Sequence, residues 1–343
     1  MTSKKSVPSN FDYSTSEYIV MPESKHQLLS NILNTGHKSQ SEIEVSLDKL
    51  RLYILEYHLD NSTQKYRPKI WKALLEVYYV SATCYINLLL AGPSCSNDSI
   101  ENDTVASTAD EDNERDSSTI AKSQRILNAF VCLHTDKPGL TSTETVFKSK
   151  LLWKHQPNYW EFTYVDSMSR LVLPFVNVMS ELDAFFSFTT FVRHCCPLYV
   201  QPNCIGARCG AKLLEACLKI LDPELLGYLH GKGLDAEEYA HHDISTFSAS
   251  ALPFPETLHL WDIMLAFGFH LNIIFIVARL VRRRKKILCS TSPYHLLRAW
   301  PPLDAETVIS DSFQIVKRLP EGLYLQLVRH TFDESISHEF IVD

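Results

Sequence analysis

The chain has 343 residues, of which 45% are hydrophobic, enough for a sizeable core in one large domain or two small ones. Its formal net charge of -7 comes with no global excess of Lys and Arg, which argues against nucleic acid as the main partner, since phosphate binding needs clustered cations. The opening residues MTSKKSVPSNFDYS lack the apolar stretch of a secretory leader, and the longest apolar run, near residues 271–281, is shorter than a membrane-spanning helix requires.

Residues 1–45 are polar, rich in Ser, Asn and Lys, and read as a loosely ordered segment. From Ser46 the pattern turns helical: Leu47, Leu50, Leu52, Ile54 and Leu55 give an apolar face that DNST breaks. YRPKIWKALLEVYYVSATCYINLLL follows as a second helical stretch, with Pro68 near a helix start, where its missing N–H is harmless. Residues 98–116 carry eight acids and one arginine with weak apolar periodicity, so residues 94–118 read as an acidic flexible stretch. AKSQRILNAFVCL resumes a helix. In PFVNVMSELDAFFSFTTFVRHCCPLYV, Val178, Leu182, Phe185, Phe186 and Phe188 are spaced for burial on one wide face. Four further stretches are apolar at three-to-four spacing, with Pro223, Pro255, Pro293 and Pro320 near their starts. Strands of period two, a Gly-rich phosphate loop and short repeats are missing from this pattern. The fold class that follows is all-α, a packed array of many helices.

Few residues invite chemistry directly. Nine cysteines without a leader read as reduced thiols. Cys195, Cys196, Cys204 and Cys209, with His194 beside them, lack a CxxC pair, so they read as buried structural thiols and no metal site is expected. His241, His242 and Asp243 form the densest histidine group and read as a surface turn. Glu181 and Asp183 point in different directions on a helix and cannot act on one bond, so SELD reads as a capping box. The basic run at residues 282–286, RRRKK, reads as a solvated helix end.

RPKIWKALL, beginning at Arg67 and containing Trp71, resembles the opening signature of the TBC domain, the helical GTPase-activating domain of Rab regulators. MSELDAFFSF, HCCPLYV, LKILDPEL, LWDIMLAFGFHLN and LLRAWPPLDA occur in order after it. Together they resemble the fungal mitotic-exit and septation-checkpoint branch of that family, over about residues 46–331, with residues 332–343 left as a tail. The resemblance implies two helical lobes and a small Ras/Rab-like GTPase as partner. It also implies a scaffold subunit at the spindle pole body, a cytoplasmic and cytoskeletal location, and no cofactor of the protein's own.

TBC domains act by supplying an arginine from IxxDxxR and a glutamine from YxQ to the partner's nucleotide. The cation stabilises charge spreading over the transferred phosphoryl group, and the amide orients the attacking water. IENDTVA matches the first motif at Ile100 and Asp103, with Ala106 at the arginine position. YVDSM resembles the second at Tyr164 and Met168, with Asp166 at the glutamine position. An alternative register, Thr119, Lys122 and Arg125, keeps the arginine but loses the Ile and Asp. The resemblance thus implies a GTPase-activating regulator with both finger positions degenerate. The alternative is an inactive relative that serves as a GTPase- or scaffold-binding module.

Overall fold

Proline and short polar caps set where the helices begin. The computed structural model describes residues 25–33, 40–59, 63–107, 117–134, 162–201 and 203–340. Among these the regular elements are helical, in the order α1 (Lys25–Leu33), α2 (Gln40–Tyr57), α3 (Arg67–Leu74), α4 (Ala82–Leu90), α5 (Asn97–Ala106), α6 (Ser117–His134), α7 (Met168–Leu171), α8 (Leu173–Val178) and α9 (Glu181–Cys195). There follow α10 (Ile205–Leu221), α11 (Pro223–Gly231), α12 (Ala236–Ser245), α13 (Phe254–Phe267), α14 (Leu271–Leu288), α15 (Pro293–Arg298), α16 (Ala305–Val316), α17 (Glu321–Arg329) and α18 (Glu334–Phe340). Pro68, Pro223, Pro255 and Pro293 sit in the first turns of α3, α11, α13 and α15, and Pro320 caps α17. Ser180, Asp222, Asp235 and Asp304 each accept the N–H three residues on. Ser180 and Asp183 thus form the helix cap that SELD suggests.

The helices gather into two groups, in keeping with two lobes. In the first, α6 is the hub, with α4, α5, α8 and α9 packed on it. In the second, α10 and α14 are central, surrounded by α11, α12, α16, α17 and α18. Helix α13 packs on α2 and α3 and also meets α14 and α16. A chain of aromatic contacts crosses between the groups. Trp71 on α3 stacks on Trp261 of α13 at 6.1 Å, and Trp261 meets Phe175 of α8 at 5.7 Å and Phe191 of α9 at 5.5 Å. Phe191 contacts Phe269, which leads through Phe247 to Tyr199, the last two stacked at 4.4 Å. Edge-to-face and offset pairs of this kind add to the burial of the rings themselves. The phenylalanine stripe of α9 is core, as its spacing implies: Phe185, Phe186 and Phe188 are buried.

One ion pair lies inside this aromatic layer. Asp262 on α13 is fully buried and accepts from Arg67 Nε at 3.1 Å, Arg67 Nη2 at 3.0 Å and Trp71 Nε1 at 2.6 Å. Its four bonds fix α3 against α13 in one register, because a carboxylate this deep has to be satisfied on both oxygens.

Two segments expected to be loosely ordered or flexible, and the stretch left as a tail, contain helices. Helices α1 and the start of α2 fall within the polar 1–45 segment, and Leu29 and Ile32 are buried. Helix α5 occupies much of the acidic 94–118 stretch; residues 108–116 lie outside the described residues. Within the 332–343 tail, α18 packs on α10, with Ile336 buried. In each case a few apolar side chains find a tertiary surface that local periodicity does not reveal. His241, His242 and Asp243 lie on α12, a helix and not a turn. The basic run closes α14 as expected, yet it is not simply solvated. Arg282 pairs with Asp311 at 2.8 Å, Arg284 with Asp222 at 2.6 Å and with Glu224, and Arg283 donates to the carbonyls of Leu296 and Ala299.

Breaking the Asp262 pair leaves a buried guanidinium without a counterion. Asp262→Ala is expected to lower the unfolding free energy by about 3–5 kcal/mol in urea titration; a loss below about 1 kcal/mol would show that the pair does not hold the register. The histidines give a pH test. Burial pulls the pKa of His270 down to about 3 and that of His330 to about 4, the latter opposed by its bond to the Leu327 carbonyl. Both therefore stay neutral in the folded chain while the unfolded chain protonates them near 6.5, so stability is full above that value and falls as pH drops below it. The expected loss is about 1.4 kcal/mol per pH unit for each histidine. A urea midpoint that stays flat between pH 6.5 and 5 would contradict it.

Candidate functional site

The end of α5 is held by its own side chains. Ile100 is fully buried and anchors the helix, and Thr104 Oγ1 donates to the Ile100 carbonyl at 2.7 Å while accepting from Gln124 of α6 at 3.1 Å. Ser107 closes the helix, its N–H and Oγ both reaching the Asp103 carbonyl. Ile100, Asp103 and Ala106 recur every three residues on α5, and exposure rises along them from the buried Ile100 to the exposed Ala106. Ala106, its last residue, is exposed.

Two bonds join this helix end to the turn that contains Asp166. Tyr164 Oη donates to Asp103 Oδ2 at 2.9 Å, and the hydroxyls of Ser107 and Ser169 meet at 2.8 Å. Ala106 lies between Asp103 and Ser107, and Asp166 lies between Tyr164 and Ser169. The cross-links therefore bracket both positions and hold the two segments side by side. Asp166 is exposed; its Oδ1 accepts from the Ser167 N–H at 2.8 Å, and its carbonyl accepts from the Ser169 N–H, with Ser169 Oγ at 2.8 Å sharing its one hydrogen between this carbonyl and Ser107 Oγ. Met168 opens α7 and is fully buried, which fixes the turn from below.

The local field is negative. Burial, then the bond to Asp103, then the charges of Asp103 and Asp166 push the Tyr164 hydroxyl well above the usual tyrosine range, so it remains a donor. Burial and then Asp166 likewise raise the Cys204 thiol. Arg170 follows in the same segment and donates to Ser250 Oγ at 3.1 Å.

Arg125 lies elsewhere. On α6 it makes a bidentate pair with Glu181, Nε to Oε1 at 2.7 Å and Nη2 to Oε2 at 2.8 Å. Arg125 holds the Glu181 carboxyl below its ordinary value, and Tyr85 adds a further bond to it at 2.8 Å. Thr119 and Lys122 share α6 with it. Arg67 and Trp71, grouped with the binding framework on sequence, are 5% and 0% exposed and donate to Asp262, Arg67 also to the Leu59 carbonyl, so in this structure they are part of the core. Among the described residues the cysteines form no disulfide, and burial pushes the thiols of Cys195 and Cys209 up to about 12. Among the described residues no cluster of His, Cys, Asp and Glu is placed to hold a metal, and no helix is long and apolar enough to cross a membrane. The Ser107–Ser169 pair carries no signal in the sequence, because two serines 62 residues apart match no motif.

An all-helical domain that ties an IxxD helix end to a tyrosine-bearing turn has the architecture of a GTPase-regulating TBC domain. The chain belongs to the Rab-GTPase-TBC domain family, whose model matches residues 64–288. It is 35% identical over 268 residues to cell division control protein 16 of Schizosaccharomyces pombe, covering 78% of this chain and 81% of that protein. It is 33% identical over 299 residues to mitotic check point protein BUB2 of Saccharomyces cerevisiae, covering 85% of this chain and 94% of that protein. Among solved structures, the Ypt/Rab-GAP domain of Gyp1p aligns with a TM-score of 0.60 at 13% identity over 89% of this chain and 99% of that one. The Chlamydomonas flagellar RabGAP TBC domain aligns with a TM-score of 0.56 at 16% identity, over 82% of this chain and 98% of that one.

The Tyr164–Asp103 bond is open to a double-mutant cycle. Tyr164→Phe and Asp103→Ala are each expected to destabilise the fold, with a coupling energy of about 1 kcal/mol between them. Additive effects would show that the two segments are not joined through this bond.

Proposed function

We propose that this protein is a TBC-type regulator of a small Ras/Rab-like GTPase in mitotic exit or septation, and that it acts by binding without supplying catalytic fingers. In this reading the IxxDxxR and YxQ segments keep their frame, through Ile100, Asp103, Tyr164 and Met168, and have lost their working groups at Ala106 and Asp166. The observation that carries the reading is the pair of cross-links that sets Ala106 and Asp166 on adjoining segments. An alanine there offers no cation. An arginine finger is worth about 10³–10⁵ in rate, on the order of 4–7 kcal/mol of transition-state stabilisation. Asp166 adds a carboxylate where phosphate oxygens would approach and has no amide hydrogen to donate. In this reading Arg125 serves Glu181, to which its Nε and Nη2 donate, and is not the finger. Relationship to proteins named for cell-division control and the mitotic check point supports the cellular role; a scaffold subunit and a place at the spindle pole body are part of the same proposal.

Single-turnover GTP hydrolysis by the mitotic-exit GTPase tests this. Saturating amounts of the protein are expected to leave the rate at its intrinsic value while the GTP-bound GTPase still binds. Ala106→Arg combined with Asp166→Gln is expected to raise the rate by at least about 10²-fold, part of what an arginine finger supplies. Acceleration by the unmodified protein, abolished by Arg125→Ala, would overturn the reading.

A further inference from the structure

The reading above leaves Arg279 unused. This residue lies in the middle of α14 and is only 7% exposed, with its guanidinium carbon 4.1 Å from the centre of the Trp300 ring. Its Nη1 is buried and has no hydrogen-bond partner. The nearest acid in charge terms is Asp243 of α12, but Asp243 Oδ2 already accepts from Trp300 Nε1 at 2.7 Å. A buried charge held by a ring face and facing an occupied carboxylate is incompletely compensated.

Arg279, Trp300 and Asp243 line a cavity of about 740 Å³, in the size range of ligand pockets. Arg298, exposed at the rim, adds a second cation. Arg279 and Arg298 line the cavity against the single carboxylate of Asp243, and Arg283 lies 5.6 Å from the centre of the same Trp300 ring, so the local charge is positive in a chain whose formal net charge is -7. Much of the remaining wall is Pro253, Pro255, Pro301 and Pro302 with Phe254. Proline has no N–H, so these walls present apolar rings and carbonyls, and the guanidinium groups stand out as anchors. Ser250, also in the wall, is the residue bonded to Arg170, so the cavity adjoins the Asp166 segment.

We propose that this cavity is a carboxylate-binding site, which takes an aspartate or glutamate side chain presented on an extended apolar segment of a protein partner. The planar fork of arginine matches a carboxylate. A phosphate dianion would bring its second charge towards Asp243. The proline walls suit an extended chain that needs no backbone pairing. The inference involves no nucleotide chemistry and stands apart from the loss of the fingers.

The test is a titration of the full chain with the peptide acetyl-Leu-Glu-Pro-Leu-amide and its glutamine counterpart, read by the Trp300 indole N–H resonance. The glutamate peptide is expected to shift that resonance saturably, with the glutamine peptide at least about tenfold weaker. Arg279→Gln is expected to remove that preference, and Arg298→Ala to weaken the glutamate peptide several-fold. Should Arg279→Gln fail to fold, the comparison of the two peptides on the unmodified chain still decides. Equal binding of both peptides, no shift with either, or displacement by inorganic phosphate at concentrations equal to the peptide's would overturn the proposal, the last in favour of a phosphate site.

Discussion

The fully buried Asp262 carboxylate is the constraint on which the rest of the molecule depends. It sits on α13, the helix that reaches both groups, and takes donors from Arg67 and Trp71 of α3. Trp71 then contacts Phe175 of α8 at 5.6 Å, and α8 is separated from the turn that presents Asp166 only by the short helix α7. The ion pair is thus linked to the candidate site through one aromatic contact and α7. Such a pair contributes specificity more than stability, because the desolvation of both charges offsets much of their attraction. Apolar residues of similar volume could fill the space, but they would not dictate which turn of α3 faces which turn of α13.

The site itself separates framework from chemistry. Tyr164, Asp103, Ser107 and Ser169 need only hydrogen-bonding groups at fixed spacing, and they make a closed set of contacts. Ala106 and Asp166 contribute nothing to that set through their side chains beyond the local bond of Asp166 to the Ser167 N–H. A frame that is stabilised by its own bonds persists independently of what the exposed positions carry. On the proposed reading, that independence is what lets a family fold and a changed active position coexist in one chain.

Much of the fold was legible in the sequence because it rests on local signals. Apolar residues at three-to-four spacing and prolines such as Pro68, Pro223 and Pro293 mark helices directly. Helix α5 was not legible: its composition is polar, and it is ordered by Ile100 below and by Gln124 from α6, a partner that no local window contains. The basic run of α14 misled in the same way, since Asp222 and Asp311 lie 62 and 29 residues from the arginines they pair with. At the site, the motif residues Ile100, Asp103 and Tyr164 were visible through resemblance, whereas the serine pair that closes the frame was not. Arg279 and Trp300 escaped notice because a cation over a ring is a tertiary event with no spacing of its own.

The bare methyl group of Ala106 has a consequence for dosage. A catalytic activator is released after each turnover, so a few copies can discharge many GTPase molecules. On the reading proposed here, a regulator without fingers stays with its partner until it dissociates, and each copy restrains one molecule at a time. Its influence then scales with abundance and residence time. Cells using such a protein would have to set its copy number against that of the GTPase, and halving the gene dose would be felt almost in proportion.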